Sequence, residues 1–125
     1  MSIPNVIIYY RVDAKYPELS AVTLAYQRAE AAAALRNFKH VLAAELVEED
    51  ASGRSRAAWR QAMKLADELG SGLNCVVLVP VSAGIGSGKP FVVPKADRWK
   101  CILWELELPV TPPREIDALR ALNEQ

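Results

Sequence analysis

Apolar residues fall along this chain in short dense runs, separated by stretches long enough for a helix. Val6 to Val12 is rich in β-branched and aromatic residues and predicts a first strand. Leu19 to Phe38 is dominated by alanine, leucine, glutamate and arginine, which favours a helix. Leu24, Leu35 and Phe38 mark its packed side, and Arg28, Glu30 and Arg36 its wet side. His40 to Leu46 predicts a second strand that continues into the acidic run VEED. Ser55 is placed to cap a helix over Arg56 to Leu69, with Trp59, Met63, Leu65 and Ala66 facing the core and Gly70 ending it. Cys75 to Val81 is apolar at nearly every position, as in a central parallel strand covered on both faces. A glycine-rich loop follows over Ser82 to Pro90, then FVVP as a short edge strand and Lys100 to Leu108 as a further strand. Pro113 suits the first turn of a last helix over Arg114 to Leu122.

The order β-α-β-α-β-loop-β-α implies right-handed crossovers and a mostly parallel sheet. The expected fold class is α/β: one domain over residues 1–125, a three-layer sandwich with four or five strands and helices on both faces. Ligands in such sheets sit beyond the carboxyl ends of the strands. Residues 11–17, 48–56 and 82–90 gather there, so function is sought among them first.

Composition narrows the classes. Fifteen basic and fifteen acidic residues give a formal net charge of zero. That gives no support to strong non-specific nucleic-acid binding, which needs clustered positive charge. With 51% apolar residues in 125, the chain can build a real core. The start MSIPNVIIYY lacks the pattern of a signal peptide, and no stretch approaches about 20 apolar residues. A cytoplasmic protein with reduced thiols is expected, with no membrane partner. Cys75 and Cys101 sit inside apolar runs and read as buried thiols, although a disulfide between neighbouring strands stays open.

Candidate chemistry is sparse. The loop SAGIGSGKP matches the Gly-Lys pair of a phosphate-binding loop at Gly88 and Lys89. The first glycine position is Ala83, however, the hydroxyl position is Pro90, and no helix start follows. Nucleotide hydrolysis is not expected, and a weaker anion-binding role for Lys89 stays open. His40 is the single histidine and reads as structural. The cysteines lie at strand starts and are not spaced as a ligand pair, which argues against a metal site and thiol catalysis. No cofactor is implied. Arg11 and Asp13, two apart on an extended chain, share a face at the end of the first strand. They form either a structural ion pair or part of an anion site. Arg54, Arg56 and Arg60 fall within seven residues and are candidate nucleic-acid contacts, or a solvated helix face.

Residues 5–81 resemble the catalytic domain of the serine recombinases, the resolvase and invertase family. The matching elements are Tyr9-Tyr10-Arg11-Val12-Asp13, then Leu24-Ala25-Tyr26-Gln27-Arg28, then Glu48-Glu49-Asp50-Ala51-Ser52-Gly53 followed by Arg56. The resemblance implies the strand order 2-1-3-4, with the last strand antiparallel or at an edge. It also implies a site at the end of the first strand, where a serine attacks a DNA phosphodiester. Asp13 stands in that serine's place, and a carboxylate is repelled by a phosphate. The arginine-bearing end of the family's third strand is here Val81-Ser82-Ala83-Gly84-Ile85-Gly86. No recognition helix follows. Losing nucleophile and arginine clamp together is expected to abolish strand cleavage.

The expectation is a resolvase-like domain without recombinase activity. It would act by self-association as a homodimer or homo-oligomer, or through a protein partner in a recombination or mobile-element setting. The strand KCILWELEL, with Trp99 and Trp104, would give either a partner surface or core. Arg11, Asp13, Gln27, Ser52 and Lys89 form the candidate remnant site. An alternative gives that site to a small anionic ligand, bound or turned over. A third keeps weak DNA binding as an accessory domain.

Overall fold

The computed structural model describes residues 3–12, 17–49, 56–69, 74–80 and 101–106. In chain order these form β1 (Asn5–Val12), α1 (Pro17–Leu35), β2 (Val41–Glu49), α2 (Ala57–Leu69), β3 (Cys75–Val79) and β4 (Ile102–Glu105). The four strands make one sheet in the order β2-β1-β3-β4, and every neighbouring pair is parallel. The α/β architecture with a parallel sheet is therefore as expected, and among the described residues β4 is a parallel edge strand. Asp13, Ser52, Arg54, Ser55, Lys89 and Trp99 lie outside the described residues. So do the 82–90 loop, the FVVP strand and the last helix.

Alternation along the strands divides the core in two. Val6, Ile8 and Tyr10 of β1 join Val76, Leu78, Ile102 and Trp104 on one face, under Ala31 and Leu35 of α1 and Phe38 just beyond it. Ile7 and Tyr9 join Cys75, Val77 and Val79 on the other face, under Ala58, Trp59, Ala62 and Ala66 of α2. Burial on both faces explains the unbroken apolar runs of β1 and β3. Trp104 is fully buried against Phe38, with ring centroids 5.9 Å apart, and so belongs to the core. Met63 and Leu65, expected on the core face of α2, are half-buried. Ala62, at 0% exposure, takes the deepest place, and Trp59 and Ala66 are buried as expected.

Helix α1 begins at Pro17 with Glu18 in its first turn, a start that suits both the ring and the helix dipole. Its buried stripe is Thr23, Gln27, Ala31 and Leu35, one residue per turn. The opposite stripe is Glu18, Val22, Ala25, Ala29 and Ala32, continued by Arg36 just past the helix end, all exposed. Ordinary surface helices put charge on that side. Here charge stands only at the two ends of the stripe, and Tyr26, 65% exposed, flanks its middle.

Candidate functional site

The carboxyl end of β1 carries a buried polar cluster. Arg11 is paired in register with Glu48 of β2, and the two are 2% and 3% exposed. The phenol of Tyr9 lies between them. It donates to Glu48 Oε1 at 3.1 Å and accepts from Arg11 Nη1 at 3.1 Å. The Glu48 carboxylate also accepts the Ala58 amide, at 3.2 Å on Oε1 and 3.1 Å on Oε2, and the Trp59 amide at 3.4 Å. Those are first-turn amides of α2, which the helix cannot satisfy internally. A carboxylate there also suits the positive end of the helix dipole. The Ala58 amide, which a Ser55 cap would engage, thus donates to a residue of β2. Trp59 closes the cluster from above, edge-on to Tyr9 at 5.1 Å and 82°.

This geometry decides what the end of β1 can do. A helix N-terminus and a nearby guanidinium would together attract a phosphate. Both are engaged by groups of the protein itself. Burial pushes the Tyr9 hydroxyl well above the usual phenol range; the Arg11 hydrogen bond works against this, and the charge of Glu48 adds to it. The phenol therefore stays protonated and serves as a neutral bridge between the two charged groups.

Gln27 fixes the main chain of Arg11 from the α1 side. Its Nε2 donates to Arg11 O at 2.8 Å, and its Oε1 accepts from Arg11 N at 3.0 Å. Among the described residues the last β1–β3 pair is Ile8 with Leu78, three residues before Arg11. The Gln27 amide supplies Arg11 with the donor and acceptor that a neighbouring strand ordinarily provides. Changing Gln27 to alanine leaves two buried backbone groups without those partners and should cost about 2 kcal/mol of stability. Urea unfolding of Q27A checks this, and Q27E should recover only the bond to the Arg11 amide.

Arg11 and Gln27 are thus brought together, but through the arginine's main chain. Tyr9 and Glu48 complete the cluster and were absent from the sequence-derived set. Glu48 had one legible signal, an acid at the end of a strand immediately before a helix start. Arg56 is half-exposed just before α2, and Arg60 is exposed on its first turn. His40 is structural: its Nδ1 donates to Phe38 O at 2.6 Å, and its ring stacks on Phe38 at 6.2 Å.

Two shallow grooves lie along α1. One, of about 340 Å³, lies at the strand ends and is lined by Val12, Pro17, Ser20, Ala21, Leu24 and Glu49. Its charged group among the described residues is an acid, which does not suit a phosphate. The other, of about 440 Å³, runs between α1 and the edge strand β2, with Arg28, Arg36, His40 and Glu45 at its rim. Arg28 is occupied over the Tyr10 ring at 5.8 Å, and Tyr10 donates to Glu45 at 2.7 Å.

No protein-family model matches the chain, and no curated protein or solved structure is significantly similar to it. The fold class is that of a parallel α/β domain. Among the described residues, no helix is long and apolar enough to cross a membrane.

Proposed function

We propose that the chain is a resolvase-like association domain that does not cleave DNA and works by pairing with a second copy of itself through α1. The observation that carries this is the exposed stripe on that helix. A two-fold axis at the level of Gln27 sets Ala25 against the partner's Ala29, and Val22 against the partner's Ala32. Glu18 then meets the partner's Arg36. Each residue meets its counterpart in both directions, as an isologous interface requires. Small residues let two helices approach closely, and the charges fix an antiparallel register. Pairing would also cover Val22, 52% exposed, and Tyr26.

The absence of cleavage rests on the site. Arg11, the resemblance's surviving cationic residue, is enclosed with Tyr9 and Glu48 rather than open to a phosphodiester. The same enclosure removes support from a small anionic ligand held by Arg11. The sheet order β2-β1-β3-β4 supports the resemblance, although other doubly wound parallel sheets contain the same order.

The test is the association state of the full chain by sedimentation. The wild type should be dimeric at tens of micromolar, and A25E/A29E monomeric with unchanged far-ultraviolet circular dichroism. E18R and R36E should each weaken the dimer at least tenfold, and combining them should restore it. A monomeric wild type, or a dimer indifferent to all four substitutions, would overturn the proposal.

A further inference from the structure

The sheet register holds a second piece of chemistry, independent of the association surface. Val76 of β3 pairs with Ile102 of β4. One step back along both parallel strands, Cys75 comes beside Cys101. Both thiols belong to the α2 side of the sheet: Cys75 lies within that core at 0% exposure, and Cys101 packs against it while half-exposed. Neighbouring strands run about 4.8 Å apart. That spacing falls inside the Cα–Cα range of about 4.4–6.8 Å that a disulfide spans. Both cysteines are free in the structure.

We propose that Cys75 and Cys101 form a thiol-oxidation site, which a small-molecule disulfide converts to a cross-strand disulfide tying β3 to the edge strand β4. The exposures assign the order of events. The half-exposed Cys101 reacts first: its thiolate attacks one sulfur of the small disulfide and expels one thiolate, leaving a mixed disulfide. Cys75 then attacks Sγ of Cys101, its proton passing to the departing thiolate, which leaves as the second thiol. Two protein thiols and one small disulfide become one protein disulfide and two small thiols, with no other oxidant needed.

Burial raises both thiols, Cys75 to about 11 with the neighbouring Cys101 adding to the shift, so access rather than acidity sets this order. A protonated, enclosed thiol is a poor target for an external reagent. It remains a competent resolving group for a sulfur held beside it. The disulfide would close the loop formed by residues 75–101. Cys101 keeps one end of the bond half-exposed, and exposed disulfides are the readily reduced kind. The bond is therefore expected to open again under mild reductant.

The experiment treats the reduced full chain with glutathione disulfide and follows it by mass spectrometry and thiol titration. The expected product has lost the mass of two hydrogens, retains no titratable thiol, and yields a Cys75–Cys101 linked peptide after proteolysis. Its thermal midpoint should rise, and dithiothreitol should restore both thiols and the original midpoint. C75S should stop at a stable glutathione adduct on Cys101, and C101S should react more than tenfold more slowly than C75S. Accumulation of the Cys101 adduct in the wild type would overturn the proposal. So would a disulfide between two chains, or a folded chain that resists oxidation while the denatured chain reacts.

Discussion

Replacing Glu48 by alanine should lower the unfolding free energy by about 3–5 kcal/mol, the largest loss expected from any single change in this chain. The residue is a junction. Its carboxylate accepts two amides of the first turn of α2 and the Tyr9 hydroxyl, and that hydroxyl in turn accepts from Arg11. Alanine withdraws an acceptor from three buried donors, each loss costing about 1–3 kcal/mol where water cannot substitute. It also removes the negative charge that faces the Arg11 guanidinium across the phenol, and an arginine cannot shed its charge in response. The series E48A, E48Q and E48M separates the contributions in urea unfolding. The glutamine keeps an acceptor for α2 and loses the charge, so its deficit should fall about midway. R11M/E48M removes both charges together and should cost less than the sum of R11M and E48M, because the paired groups act as a unit. A deficit below about 1 kcal/mol for E48A would mean that the cluster adds nothing beyond a surface ion pair.

Glu48 also shows where a linear reading stops. The strands were legible because a run such as VIIYYRV or CVVLV has one explanation, burial on both faces, and that signal is contained within the run itself. The position of Arg11 was legible for the same reason, since it closes such a run. Its counter-charge was not. In the sequence the nearest acid is Asp13, two residues on, whereas the acid that shares Tyr9 with Arg11 lies 39 residues beyond that tyrosine. Hydrophobic periodicity reports which face a residue occupies but is silent about the strand that lies alongside. Only the parallel register of β1 and β2 sets Arg11 opposite Glu48. Gln27 hides more deeply, because its amide acts as a stand-in for the backbone of a neighbouring strand. Nothing in its side chain announces that.

Helix α1 teaches a related lesson. Alanine favours helix whichever way it faces, so a run of alanines fixes the element without fixing its core side. The large residues Leu24, Leu35 and Phe38 pointed roughly to the core, and Arg28 and Arg36 are exposed as expected. The stripe from Glu18 to Arg36 gains meaning once Thr23, Gln27, Ala31 and Leu35 are known to be buried. From then on its lack of charge between the two ends asks for a partner.

Raising the pH above about 10 should destabilise the fold steeply, and the tyrosines of β1 set the slope. Burial is the main cause that lifts the hydroxyls of Tyr9 and Tyr10 well above the usual phenol range, and for Tyr10 the hydrogen bond to Glu45 adds to it. In the unfolded chain both phenols titrate near their ordinary value of about 10. Between that value and the folded-state one, the native protein keeps two protons that the unfolded chain has lost. The unfolded state then binds fewer protons, so stability falls as pH rises. Each tyrosine contributes a slope of about 1.4 kcal/mol per pH unit, and the pair about 2.7. Below about pH 9 both states are protonated and the two tyrosines add no slope. The Cys75 thiol, raised to about 11, acts with the same sign from slightly lower pH. Urea unfolding across pH 8 to 11.5 in a C75S/C101S background isolates the phenols. Y10F should lose one tyrosine's share, so its slope above pH 10 should be shallower than its parent's by about 1.4 kcal/mol per unit. Its constant offset from the lost Glu45 bond does not enter that difference. Parallel curves for Y10F and its parent would show that Tyr10 reaches solvent and ionises in the native state, which contradicts a buried β1 face.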